Sequence, residues 1–119
     1  MKMPKILIAI NYVNYKDRKK IEWQKRAIEI LDNNKPENVT VAAVNFSSDF
    51  VNIPESFYVF NNLTRSSKSE VGNNRNLPYV KEVFDICSKL PCNIFGYINS
   101  DILLSKEFFT VFNRKLDAY

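Results

Sequence analysis

Histidine is missing from the whole chain of 119 residues. Without an imidazole, a Ser-His-Asp triad, a Cys-His dyad and any histidine-ligated metal site are excluded. Glycine is almost as scarce: Gly72 and Gly96 are the only two, and they stand apart. Isolated glycines build neither a Walker loop nor the glycine fingerprint of a dinucleotide site, which argues against a P-loop NTPase or a Rossmann dehydrogenase. Acidic residues are lacking where the first apolar run ends, at Asn11-Tyr12-Val13-Asn14. A phospho-receiver domain needs carboxylates at that point. The two cysteines, Cys87 and Cys92, match neither a zinc pattern nor a redox pair, and both read as buried free thiols. Long hydrophobic runs are absent too. The stretch from Ile6 to Ile10 is too short for a signal peptide or a membrane span, so the expectation is a cytoplasmic protein with no transmembrane segment. The sequons at Asn38, Asn45 and Asn62 are then chance matches in an Asn-rich chain.

Apolar residues form 45% of the chain and charged residues 25%, the composition of one folded domain rather than of a disordered segment. Nine Phe and six Tyr point to aromatic packing between layers. The net charge of +4 has a local concentration at Lys16, Arg18, Lys19 and Lys20 and a sparser one at Arg65, Lys68 and Arg75. Nucleic-acid binders cluster charge more densely, so this distribution predicts no nucleic-acid partner and reads as solvated surface or as attraction for a small anion.

Lys5 to Val13 reads as a strand buried on both faces, because Ile6 to Ile10 are continuously apolar. From about Lys16 to Asn33, Ile21, Ala27, Ile28 and Leu31, joined by Trp23 and Ile30, predict an amphipathic helix. Val39 to Phe46 is a second apolar strand, and Phe57 to Phe60 a short third one. Asn61 to Asn76 holds five Asn, three Ser and a Gly without apolar periodicity, the pattern of a long binding loop, lid or disordered stretch. Leu77-Pro78 should open a helix whose face is Leu77, Val80, Phe84, Cys87 and Leu90, with Val83 and Ile86 beside them, ended by Pro91. Asn93 to Ile98 is a fourth strand, and Ser105 a cap for a last helix striped by Phe108, Phe109, Phe112 and Leu116. The alternation predicts an α/β fold: a three-layer, Rossmann-like, mostly parallel sheet with helices on both faces. In such sheets ligands bind beyond the carboxyl ends of the strands, where this chain places Asn11 to Asn14, Asn45 to Asp49 and Asn99-Ser100-Asp101. One carboxylate there suits Mg2+ or Mn2+, hard cations that take their remaining oxygens from substrate phosphates and water.

This order of elements, closing on an apolar strand that ends in Asn99-Ser100-Asp101-Ile102, resembles the nucleotide-binding half of GT-A-type glycosyltransferases. The resemblance implies a single nucleotide-sugar-binding domain over residues 1–119, either the donor half of a longer enzyme whose acceptor half is missing here or a reduced stand-alone relative. It implies a nucleotide-diphospho-sugar as partner, an unknown acceptor, and Mn2+ or Mg2+ as cofactor. In that family an Asp-x-Asp motif holds the metal; Asp101 matches its second Asp, and Asn99 stands where the first would be. Asn11 and Tyr12 would lie near the nucleoside, Asn45 and Asp49 near the base, and Arg75 near the diphosphate or sugar. Asn99 in place of Asp removes one negative charge. The tail after Asp101 offers only Glu107 and Asp117 as carboxylates and reads as one helix, so no catalytic residue is assigned. Two other readings stay open. Asn and Asp at these positions also close strand-to-helix turns by bonding backbone groups, and the whole could be a non-catalytic α/β protein-interaction module.

Overall fold

The computed structural model describes residues 3–48, 50, 52–72 and 77–117. Its sheet has four strands, β1 (Ile6–Asn11), β2 (Val39–Val44), β3 (Tyr58–Phe60) and β4 (Ile94–Asn99), in the spatial order β3-β2-β1-β4. All three pairings are parallel. Between the strands run α1 (Arg18–Asn34), the short α2 (Ser67–Val71) and α3 (Val80–Cys87), and α4 (Lys106–Asp117) follows β4. This is a small Rossmann-like α/β fold.

Period-two alternation sends the strand side chains into two cores. Ile6, Ile8, Ile10, Val39, Val41 and Ala43 pack with Ile28 and Leu31 of α1 and Phe109 of α4, so these two helices share one face. Leu7, Ala9, Ala42 and Val44 pack with Val83 and Cys87 of α3 on the other. Covered on both sides, β1 is buried at all six positions. That is why its sequence is an unbroken apolar run rather than an alternating one.

Helix ends follow local chemistry. Asp17 caps α1, its carboxylate accepting from the Lys19 amide at 2.8 Å. Ser105 does the same for α4, accepting from the Phe108 amide at 3.1 Å. Gly72, with φ +71°, follows α2 directly, in the left-handed conformation that ends a helix and that glycine adopts without strain.

Four expectations are corrected. Ile21 and Trp23 are 44% and 51% exposed rather than on the packed face of α1. That face consists of Gln24, Ala27, Ile28 and Leu31, and at its start Trp23 and Gln24 bond residues beyond the strand ends, Asp101, Val13 and Ser100, rather than strand residues. The segment predicted as one irregular loop holds α2 and a bridge between Ser66 and Pro78. Its order comes from distant partners: the Glu82 carboxylate accepts from the Thr64 amide and hydroxyl and from the Arg65 amide, at 3.0, 2.7 and 2.9 Å. Consequently α3 begins at Val80, not at Leu77-Pro78, and it buries Val83 and Cys87 while leaving Leu77, Val80 and Phe84 exposed. Cys87 is buried as expected, but Cys92 only half so; both thiols are free. Burial, with the neighbouring Cys92 as a smaller cause, pushes the Cys87 thiol up to about 11.

Candidate functional site

The chain runs outward from β1 through β2 to β3, then returns to the opposite side of β1 to form β4. The strand order therefore reverses between β1 and β4, and ligands of open α/β sheets bind at the carboxyl ends beside such a reversal. Here the last residues of the two strands, Asn11 and Asn99, are register partners.

Beyond β1 the backbone is held by two buried amides. Asn11 is 5% exposed and its Nδ2 donates to the Val44 carbonyl at 2.8 Å, tying β1 to β2. Asn45 is fully buried; its Oδ1 accepts from the Tyr12 amide at 3.1 Å and its Nδ2 donates to Asn61 Oδ1 at 3.3 Å. The Tyr12 ring packs on Phe50 with centroids 5.4 Å apart. Its hydroxyl is buried with no hydrogen-bond partner among the described residues. Burial, and behind it the charge of Asp32, raise this phenol above its ordinary range.

Beyond β4 the support comes from α1. The Asn99 carbonyl accepts from the Ile102 amide at 3.3 Å, closing a turn with Ser100 and Asp101 at its centre. The Ser100 hydroxyl donates to Gln24 Oε1, which also accepts from the Val13 amide at 2.9 Å, while Gln24 Nε2 donates to the Val13 carbonyl at 3.1 Å. One buried glutamine thus ties the exits of β1 and β4 together. Next to it, the Trp23 indole N–H donates to the Asp101 carbonyl at 3.0 Å, leaving the Asp101 carboxylate free of that bond.

These exits open into a cleft of about 1020 Å³ lined by Asn11, Tyr12, Asn14, Trp23, Phe50 and Asp101, and by Lys16, Lys19, Lys20 and Lys68. Of the residues singled out from sequence, Asn11, Tyr12 and Asp101 meet here. Asn45 lies buried behind them, and Asn99 is exposed at the strand end without lining the cleft. Asp49 and Arg75 lie outside the described residues. The four lysines and the Trp23–Gln24 pair were not chosen as site residues. Their charge was visible in the sequence; what was not visible is that the fold turns two separate basic stretches toward one opening. A larger depression along α1, about 1310 Å³, is lined by charges of both signs; it shares Lys19 and Trp23 with the cleft and runs from there down the solvated flank of the helix.

A hard divalent cation fits this donor set in one way. Among the described residues Asp101 is the single carboxylate lining the cleft, and no group of three or more Cys, Asp and Glu side chains could hold an ion by itself. An ion at Asp101 would complete its shell from phosphate oxygens and water.

No family model, curated protein or solved structure matches the chain. No helix among the described residues is long and apolar enough to cross a membrane.

Proposed function

We propose that the cleft binds a nucleotide-diphospho-sugar, as the donor half of a GT-A-type glycosyltransferase does. The observation behind this reading is the position of Asp101, set by α1 at the exit of β4 where the strand order reverses, in a cleft rich in ammonium groups. Asp101 would hold Mn2+ or Mg2+ together with the diphosphate, and exposed Asn99 would add an oxygen from the strand end. When bound, the cation would neutralise charge on the departing nucleoside diphosphate. Asn11 and Asn45 shape the nucleoside end of the cleft by fixing the backbone, since their amide groups already bond protein partners. A cytoplasmic setting is part of this proposal, in keeping with two unpaired thiols.

Titration with UDP and GDP, with and without Mn2+, tests the proposal. Mn2+ should raise the affinity for one of them, and Asp101→Ala should abolish that gain without lowering stability. The proposal fails if neither nucleotide binds, or if the variant keeps the full Mn2+ effect.

A second reading, a non-catalytic interaction module, draws on exposed apolar side chains around β4: Val80 and Phe84 of α3, and Phe108 and Val111 of α4. It predicts no nucleotide affinity at all.

A further inference from the structure

The cleft has two basic walls. One is the entrance of α1, where Lys16 precedes the Asp17 cap and Lys19 and Lys20 lie in the first turn, with Trp23 one turn further along. The other is α2, which brings Lys68 to the same opening. That second wall is anchored at its base. Glu82 gathers the Thr64 and Arg65 amides, and the Arg65 fork grips Glu70 at 2.8 and 3.0 Å. The Arg65 guanidinium also lies over the Tyr79 ring at 4.9 Å, and the Ser67 amide donates to the Leu77 carbonyl at 2.8 Å.

None of the four lysines makes an ion pair among the described residues, whose salt bridges are Lys35–Asp32, Arg65–Glu70 and Lys81–Asp85. Against four ammonium groups the cleft sets one carboxylate among the described residues, Asp101. Like charges gathered at one opening repel, and an anion placed between them removes that repulsion and gains attraction from each. A diphosphate carries several negative charges on a short rigid backbone, and lysine meets phosphate oxygens as a point charge from either side.

We propose that Lys16, Lys19 and Lys20 on one wall and Lys68 on the other form a clamp for a diphosphate that holds it without a metal ion. The inference rests on the nucleotide-sugar reading only for what is attached to the diphosphate. It departs from that reading in making the metal an addition to an anion already held by lysines.

Trp23 is the single tryptophan of the chain and lines the cleft, so its fluorescence reports on occupancy directly. The experiment titrates inorganic pyrophosphate, UDP and GDP in EDTA and again in Mn2+, at low and at high salt. Three proteins are compared: the parent, the Lys16→Gln/Lys19→Gln/Lys20→Gln variant, and Lys68→Gln. Lys89→Gln serves as a control away from the cleft. In EDTA the parent should bind pyrophosphate saturably and more weakly as salt rises. The triple variant should lose at least about tenfold in affinity and Lys68→Gln severalfold, as expected for lost charge-assisted hydrogen bonds. All variants should melt no lower than the parent, since these side chains are exposed.

The clamp is overturned if the parent binds no pyrophosphate in EDTA, or if the triple variant binds it as tightly as the parent. UDP or GDP binding that depends on Mn2+ and Asp101 but ignores the lysines overturns the clamp and leaves the donor reading standing. Pyrophosphate binding through the lysines, with no nucleotide preferred over it and no Mn2+ effect, supports the clamp and removes the donor reading.

Discussion

β1 and β4 lie side by side in register, yet they are held in different ways. Every residue of β1 is buried, whereas β4 is half-buried along its length and exposed at its end. The cause is position. β1 has strands on both flanks and helices over both faces, while β4 is the last strand of the sheet among the described residues. Its carboxyl end, which presents Asp101, is fixed instead by two α1 side chains, Gln24 and Trp23. The candidate ligand-binding carboxylate therefore lies just beyond the less constrained strand and takes its position from a neighbouring helix.

The strongest test of this contrast lies in the cores. Leu7→Ala, at a β1 position 1% exposed, should destabilise the protein by about 3–4 kcal/mol in urea unfolding, and Ile98→Ala in β4 by about half as much. Equal losses would show that β4 is as tightly packed as β1 and would remove the contrast.

Gln24→Leu ranks next. It leaves the Val13 amide and carbonyl and the Ser100 hydroxyl without their shared partner, at a cost of about 2–3 kcal/mol. The informative readout is a second one: amide exchange should accelerate at Ser100 and Asp101 but stay slow in the middle of β1. Trp23→Phe removes one exposed bond to the same turn and should cost less than about 1 kcal/mol. If exchange at the turn is unchanged in Gln24→Leu, α1 does not position Asp101.

The smallest effect is on the well-packed side. Tyr12→Phe removes a buried hydroxyl that has no partner among the described residues, so stability should stay level or rise by up to about 1 kcal/mol. The folded-state pKa of Tyr12 is raised above the ordinary 10.0. The contribution of the neutral phenol is therefore complete below pH 10 and declines as pH climbs toward the folded value, because the unfolded chain ionises first. The phenylalanine variant should lose stability less steeply in that alkaline range. A lower midpoint at neutral pH would mean that the hydroxyl has a partner and that the β1 exit is better satisfied than described.

Much of this architecture is legible in the residues. The run Ile6 to Ile10 can be buried only with both faces covered, and it forms the central strand. Ser105 as a cap and Asn99-Ser100-Asp101 as a strand exit are local features, and local chemistry decides them. Order in the Asn-rich segment was not legible, because the carboxylate that organises Thr64 and Arg65 belongs to Glu82 on the following helix. Gln24 was hidden for a related reason: a polar residue on a helix reads as solvated until two strand exits are brought against it.

The alternation of strands and helices, the polar residues at the strand ends and the exclusion of imidazole and glycine-loop chemistry were already written in the order of residues. All of these depend on residue type and short-range spacing. Folding in three dimensions was needed to bring β4 back beside β1, to set α1 against Asp101, and to line one cleft with Lys68 as well as Lys16, Lys19 and Lys20. Parallel pairing joins segments far apart in the chain, and no local pattern records which strand ends it makes neighbours.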